Sequence, residues 1–140
     1  MPVFLDTNIL IYSISTATDE AAKAAKAIAL LERDDCVLSV QVLQEFYVQA
    51  TRDSRPDPLP HKIAAGLIRT WLRFQIQDNT LSIMQSALDI RAAHGFSFWD
   101  SAILAAAIAM GCPELYTEDL SHGRQIGSVR IINPFAPDFG

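Results

Sequence analysis

Val3-Phe4-Leu5-Asp6-Thr7-Asn8 sets the architecture of this chain. A short run of large apolar residues bounded by turn-forming ones has the composition of a strand buried on both faces. Asp6, Thr7 and Asn8 are residues that favour turns and helix caps, so the strand is expected to pass directly into a helix. The same alternation continues. Asp19 to Arg33, rich in Ala, Lys and Leu, is expected to form a helix capped by Thr18 or Asp19, and Cys36-Val37-Leu38 a second buried strand. Ser39 should cap the next helix, which runs to about Arg52 with Val42, Leu43, Phe46, Tyr47 and Ala50 on its apolar face and Gln41, Glu45 and Gln49 opposite.

Pro56, Pro58 and Pro60 make 53–60 a surface loop, since each removes a donor and restricts its predecessor. A helix from Pro60 to about Phe74, a short strand over Phe74 to Gln77, and a helix capped by Thr80 and ended by Gly95 follow. Ser97 to Met110 is helical, Gly111 and Pro113 end it, and the last strands are Glu114 to Thr117 and Val129 to Ile132. Short apolar strands alternating with helices predict an α/β fold with a mostly parallel sheet covered on both faces. Ligands of such sheets gather at the carboxyl ends of the strands, where Asp6, Ser39 and Thr117-Glu118-Asp119 should meet.

The 140 residues, 50% hydrophobic, are expected to form one domain spanning 1–140 with a sizeable core. Cys36 and Cys112 make no disulfide framework, and the amino terminus lacks the basic and long apolar regions of a signal peptide, so a cytoplasmic protein is expected. No apolar segment reaches the roughly 20 residues needed to cross a bilayer. The net charge of −5 disfavours bulk attraction to nucleic acid, yet five of the eleven Lys and Arg fall between positions 52 and 73. Lys62, Arg69 and Arg73 would align on one helix face as a cationic stripe, either a solvated face or a low-specificity contact for an RNA backbone.

Asp100 is the chemical anomaly. It is the only charge in Phe98-Trp99-Asp100-Ser101-Ala102-Ile103-Leu104-Ala105-Ala106-Ala107-Ile108-Ala109-Met110, and no Lys, Arg or His follows at i+3 or i+4. An unpaired buried carboxylate costs several kcal/mol, so it needs a metal, a distant cation or a catalytic duty. Asp6, Glu45 and Asp119 join it, two after strand ends and two near the starts of helices entered from the same sheet edge. Each also has a purely structural reading. Asp6 serves as an N-cap, Glu45 as a solvent-exposed Glu, Asp100 in a capping box with Ser97, and Asp119 as the cap of a turn through 120–123. Together they would repel one another unless a cation occupied the cluster, and hard oxygen donors select Mg²⁺, with Mn²⁺ as a substitute. Trp99 is expected to pack, with base stacking as the alternative role.

Other phosphate chemistries fit badly. Haloacid-dehalogenase-like phosphatases need a second Asp where Asn8 stands, receiver domains need a late Lys and the last here is Lys62, no GxxxxGK occurs, and His61, His94 and His122 lack zinc-ligand spacing.

The chain resembles the PIN domains, specifically VapC-type toxin ribonucleases of toxin-antitoxin pairs. The resemblance lies in Phe4-Leu5-Asp6-Thr7-Asn8, Ser39 followed by Glu45, Trp99-Asp100-Ser101-Ala102 with its Ala-rich helix, and Leu115-Tyr116-Thr117-Glu118-Asp119-Leu120, in order over almost the whole chain. It implies a three-layer α/β/α sandwich and metal-dependent endonucleolytic cleavage of RNA by Asp6, Glu45, Asp100 and Asp119. It further implies hydrogen-bonding support from Asn8, Ser39 and Thr117, a homodimer, and a small antitoxin that blocks the pocket. Glu118 is an alternative to Asp119 as fourth acid. A PIN-like module that binds RNA or protein without cutting is the competing function.

Overall fold

The computed structural model describes residues 1–139. Its elements are β1 (Val3–Leu5), α1 (Thr7–Ser13), α2 (Ala21–Leu31), β2 (Cys36–Ser39), α3 (Val40–Thr51), α4 (His61–Trp71), β3 (Gln75–Gln77), α5 (Leu81–His94), α6 (Phe98–Ala109), β4 (Glu114–Tyr116), β5 (Gln125–Ile126) and β6 (Val129–Ile132). The helix starts follow the side-chain oxygens. Ser39, Thr80 and Ser97 accept from the backbone amides of Val42, Ile83 and Asp100, and Asp6 accepts from that of Thr7. Gly95 ends α5 at φ 78°, a left-handed conformation that costs a side-chain-bearing residue about 1 kcal/mol.

The strands lie in the order β3-β2-β1-β4-β6-β5, with β1 parallel to β2 and β4, β2 parallel to β3, and β4 parallel to β6. From β1 the chain winds outward through β2 to β3, then returns through α5 and α6 to β4 on the other side of β1. With right-handed crossovers, reversing the direction of travel moves the connecting helices to the opposite face, giving the α/β/α layering. Val3, Phe4 and Leu5 are wholly buried, as a central strand covered on both sides must be. The winding reverses beside β1 and β4, so the crevice expected of such sheets opens at their carboxyl ends.

From Ser101 to Ala107 every residue of α6 is buried, which explains its lack of an amphipathic pattern. Its alanines let the helix approach α5 and the sheet closely.

Four local expectations change. A 3-10 turn at Thr18–Glu20 precedes α2, and neither Thr18 nor Asp19 caps that helix; the Glu20 carboxylate instead accepts from the Ser15 hydroxyl. Pro60 is the residue before α4, which stops at Trp71. Gln41 is buried instead of lying on an exposed polar face. β5, absent from the sequence reading, pairs antiparallel with β6, Ile126 opposite Val129. Gly127 at φ 56° turns that hairpin, and Gly127-Ser128 between two β-branched residues was the available signal.

Candidate active site

β1 and β4 deliver the centre of the site. Their ladder continues one residue past the strands, with the Asp6 amide donating to the Tyr116 carbonyl at 3.0 Å, so Asp6 and Thr117 emerge side by side. The Thr117 hydroxyl donates to Asp6 Oδ2 at 2.8 Å, and the Thr7 amide donates to Oδ1 at 2.7 Å. Asn8 extends the network. Its Nδ2 contacts Thr117 Oγ1 at 3.0 Å, Asp119 Oδ2 at 3.1 Å and, more weakly, Asp6 Oδ2 at 3.4 Å, while its Oδ1 accepts from the Glu118 amide.

The Glu45 carboxylate is held from β1's side by Thr7, whose hydroxyl donates to it at 2.6 Å, and from its own helix by Gln41 at 3.3 Å. Thr7 and Gln41 were not singled out as functional from the sequence. Thr7 lay within a quoted motif, and Gln41 precedes Glu45 by one helical turn, the spacing at which side chains meet. Ser39 acts through the backbone: its hydroxyl caps α3, fixing the helix that carries Glu45.

Asp100 is half-buried at the mouth of the crevice, so its burial is less severe than its apolar flanks suggest. Its amide is capped by Ser97, but among the described residues its carboxylate accepts no hydrogen bond, leaving the reciprocal half of the capping box unmade. Trp99 is 62% exposed, contrary to the expected packing role. Asp119 is exposed and shares Asn8 with Asp6; Glu118 instead turns to Lys23 and Tyr12.

Electrostatics ties three acids together. Burial pushes the Asp6 pKa from 3.8 up to about 7; the Thr117 and Thr7 bonds oppose this, and the charges of Glu45 and Asp100 add to it. A cation would reverse the penalty, and the donors are hard carboxylate oxygens of the kind Mg²⁺ takes. Among the described residues, no three acid, imidazole or thiolate side chains close into a ready-made cage.

The cationic stripe is interrupted. Lys62 and Arg69 are exposed on α4, but Arg73 lies beyond its end, where it donates to the carbonyls of Thr70 and Leu31 and covers the Phe74 ring. Arg73 precedes β3 and therefore sits at the amino edge of the sheet, opposite the acidic crevice. Cys36 and Cys112 are buried thiols, and among the described residues no helix is long and apolar enough to cross a membrane.

Sheet order and crevice together define an α/β protein with an acidic centre at its topological switch point. The chain belongs to the PIN domain family, whose model matches residues 3–124. Among solved structures it is similar to a toxin-antitoxin complex from Klebsiella pneumoniae, at 22% identity over 96% of this chain and 98% of that chain, with a TM-score of 0.70. It is also similar to Mycobacterium tuberculosis VapC20, described as a sarcin-ricin loop cleaving toxin, at 19% identity, 84% and 91% coverage and a TM-score of 0.66. VapBC2 from Rickettsia felis, bound to a promoter DNA fragment, gives 18% identity, 94% and 97% coverage and a TM-score of 0.65. No curated protein sequence matches the chain.

Proposed function

We propose that this protein is a metal-dependent endoribonuclease acting as the toxin of a toxin-antitoxin pair. The observation that carries this reading is Asp6, a carboxyl at the strand switch point whose burial raises its pKa to about 7, with the charges of Glu45 and Asp100 adding to the rise. Membership of the PIN family and likeness to toxins, one of them described as cleaving an RNA loop, point the same way.

Asp6 and Asp100 would hold the cation directly, with Glu45 and Asp119 reaching it through water or a second ion. Bound Mg²⁺ would supply Lewis acidity toward the scissile phosphate and acidify a coordinated water. Glu45, oriented by Thr7 and Gln41, is placed to accept the proton of the attacking water. Thr117, Thr7 and, more weakly, Asn8 hold the Asp6 carboxylate, and the Thr117 and Thr7 bonds limit its basicity. In-line attack would leave a 5′-phosphate and a 3′-hydroxyl, the polarity implied by the family resemblance.

An antitoxin whose cation enters the acidic crevice would be a physically reasonable inhibitor. A homodimer would give exposed Leu81 and Leu88 of α5 an apolar partner.

Total RNA incubated with purified protein and Mg²⁺ or Mn²⁺, followed by mapping of new 5′ ends, tests the reading. Cleavage should vanish in EDTA and in Asp6→Ala and Asp100→Asn, and should fall in Asp119→Asn more than in Glu118→Gln. Asp100→Asn with unchanged cleavage would refute the carboxylate mechanism. A silent Asp100→Asn together with metal-independent RNA or protein binding would favour the non-catalytic module.

A further inference from the structure

Trp99 should have packed, and it does not. A large aromatic at the start of an otherwise buried helix leaves 62% of its surface in solvent. It stands as a ridge between two grooves. One, of about 530 Å³, is lined by Gln44, Glu45, Val48, Gln49 and Arg52, and the other, of about 290 Å³, by Asn79, Ile83, Met84 and Phe98 among others.

We propose that Trp99 and these grooves form a base-stacking subsite, seating one unpaired RNA base beside the acidic pocket. The inference deepens the nuclease reading and rests on it. Three observations select a nucleotide as occupant. First, buried Gln41 donates both to the Trp99 backbone carbonyl at 3.1 Å and to the Glu45 carboxylate at 3.3 Å, so the backbone that carries the ring is tied to the pocket. Second, Arg52, the residue that follows the end of α3, makes no ion pair among the described residues and lines the same groove as Glu45. It is therefore available to a phosphate leading away from the pocket. Third, the groove walls bear side-chain amides: Asn79 donates to Gln44 at 3.3 Å, which leaves the Gln44 amino group and the Asn79 carbonyl for a base edge, and Gln49 can both donate and accept. An aromatic platform, a free guanidinium and amides are what single-stranded bases use in protein sites.

Trp71, the only other tryptophan, is 4% exposed, so a fluorescence change on ligand binding can be assigned to Trp99 by comparison with Trp99→Phe. The binding series uses full-length protein in EDTA at low salt, where no hydrolysis consumes the probe. The probes are a short oligoadenylate and an abasic ribose-phosphate oligomer of the same length. Oligoadenylate should quench Trp99. Trp99→Leu should bind it at least about fivefold more weakly, the lower end of what one stacked base contributes, while binding the abasic oligomer as the wild type does. Trp99→Phe should recover most of the affinity, and Arg52→Ala should weaken both probes. With Mg²⁺ present, Trp99→Leu should raise KM for cleavage more than it lowers kcat, since stacking holds ground and transition states alike.

Equal oligoadenylate binding by Trp99→Leu and wild type, or an equal loss for the abasic oligomer, overturns the subsite. So does a Trp99 emission that shifts with protein concentration and ignores both oligomers, the result expected if a second copy covers the ring. The nuclease reading fails separately: Asp100→Asn would then leave metal-dependent cleavage unaffected, while the EDTA series still decides the subsite.

Discussion

Thr117 shows how one side chain sets the chemistry of another. It is wholly buried and its hydroxyl donates to Asp6, opposing the rise in Asp6 pKa caused by burial. Thr117→Val should therefore move the Asp6 pKa above about 7, because the ionised form loses its donor while its burial remains. The expected outcome is weaker Mg²⁺ binding at neutral pH and a pH–rate profile whose alkaline-rising limb shifts upward. Isothermal titration with Mg²⁺ and cleavage assays across pH read both effects. An unchanged limb would mean that Asp6 is not the group whose ionisation controls activity. Asp6, Asp100 and Asp119 could be picked out from the sequence because each follows a strand end or opens a helix. Thr7 and Gln41 carry fainter signals, since a hydroxyl and an amide become functional only through the carboxylate they meet, Glu45 in both cases.

At the scale of elements, α6 is the piece on which the site's geometry depends. It carries Asp100 at its open end and a buried Ala-rich body beyond it, packed against α5 and the sheet. Alanine at Ala107, with no exposed surface, leaves no room for more atoms. Ala107→Leu is expected to destabilise the protein by about 1–3 kcal/mol in urea denaturation, and to reduce cleavage through displacement of Asp100. Retained stability would show that the helix can slide to accommodate the added volume. The helix was evident in the sequence as an uninterrupted apolar run. Its first turn was read too simply, because flanking hydrophobicity does not reveal that the helix begins at the protein surface, where Asp100 is half-buried and Trp99 exposed.

At the scale of the whole molecule, the proposed ion would couple to folding through Asp6. Unfolded, this carboxyl titrates near 3.8, and folded it titrates near 7, so between those values the folded metal-free chain holds more protons. Its contribution to stability is then greatest below about pH 4, falls as pH rises toward about 7, and is flat beyond. Mg²⁺ favours the ionised form, so its stabilising effect should grow over the same interval. Thermal melts with EDTA and with Mg²⁺ should show a small difference at pH 5 and a larger one at pH 8. Asp6→Asn should remove the Asp6-linked pH slope and most of the Mg²⁺ response; an equal Mg²⁺ effect at both pH values would argue against ion binding at this carboxylate.

The sequence by itself determined the alternation of strands and helices and three of the cap residues. These are local properties: side-chain period, capping oxygens and backbone restriction act over a few residues. Only the tertiary structure decided that β1 lies between β2 and β4, that Glu118 turns to Lys23 while Asp119 shares Asn8 with Asp6, that Arg73 sits at the wrong edge to extend a cationic stripe, and that Trp99 is left in solvent. Those outcomes depend on which distant surfaces become neighbours. Burial, charge proximity and exposure are properties of neighbours, and strand order and the close packing of helices on the sheet set them.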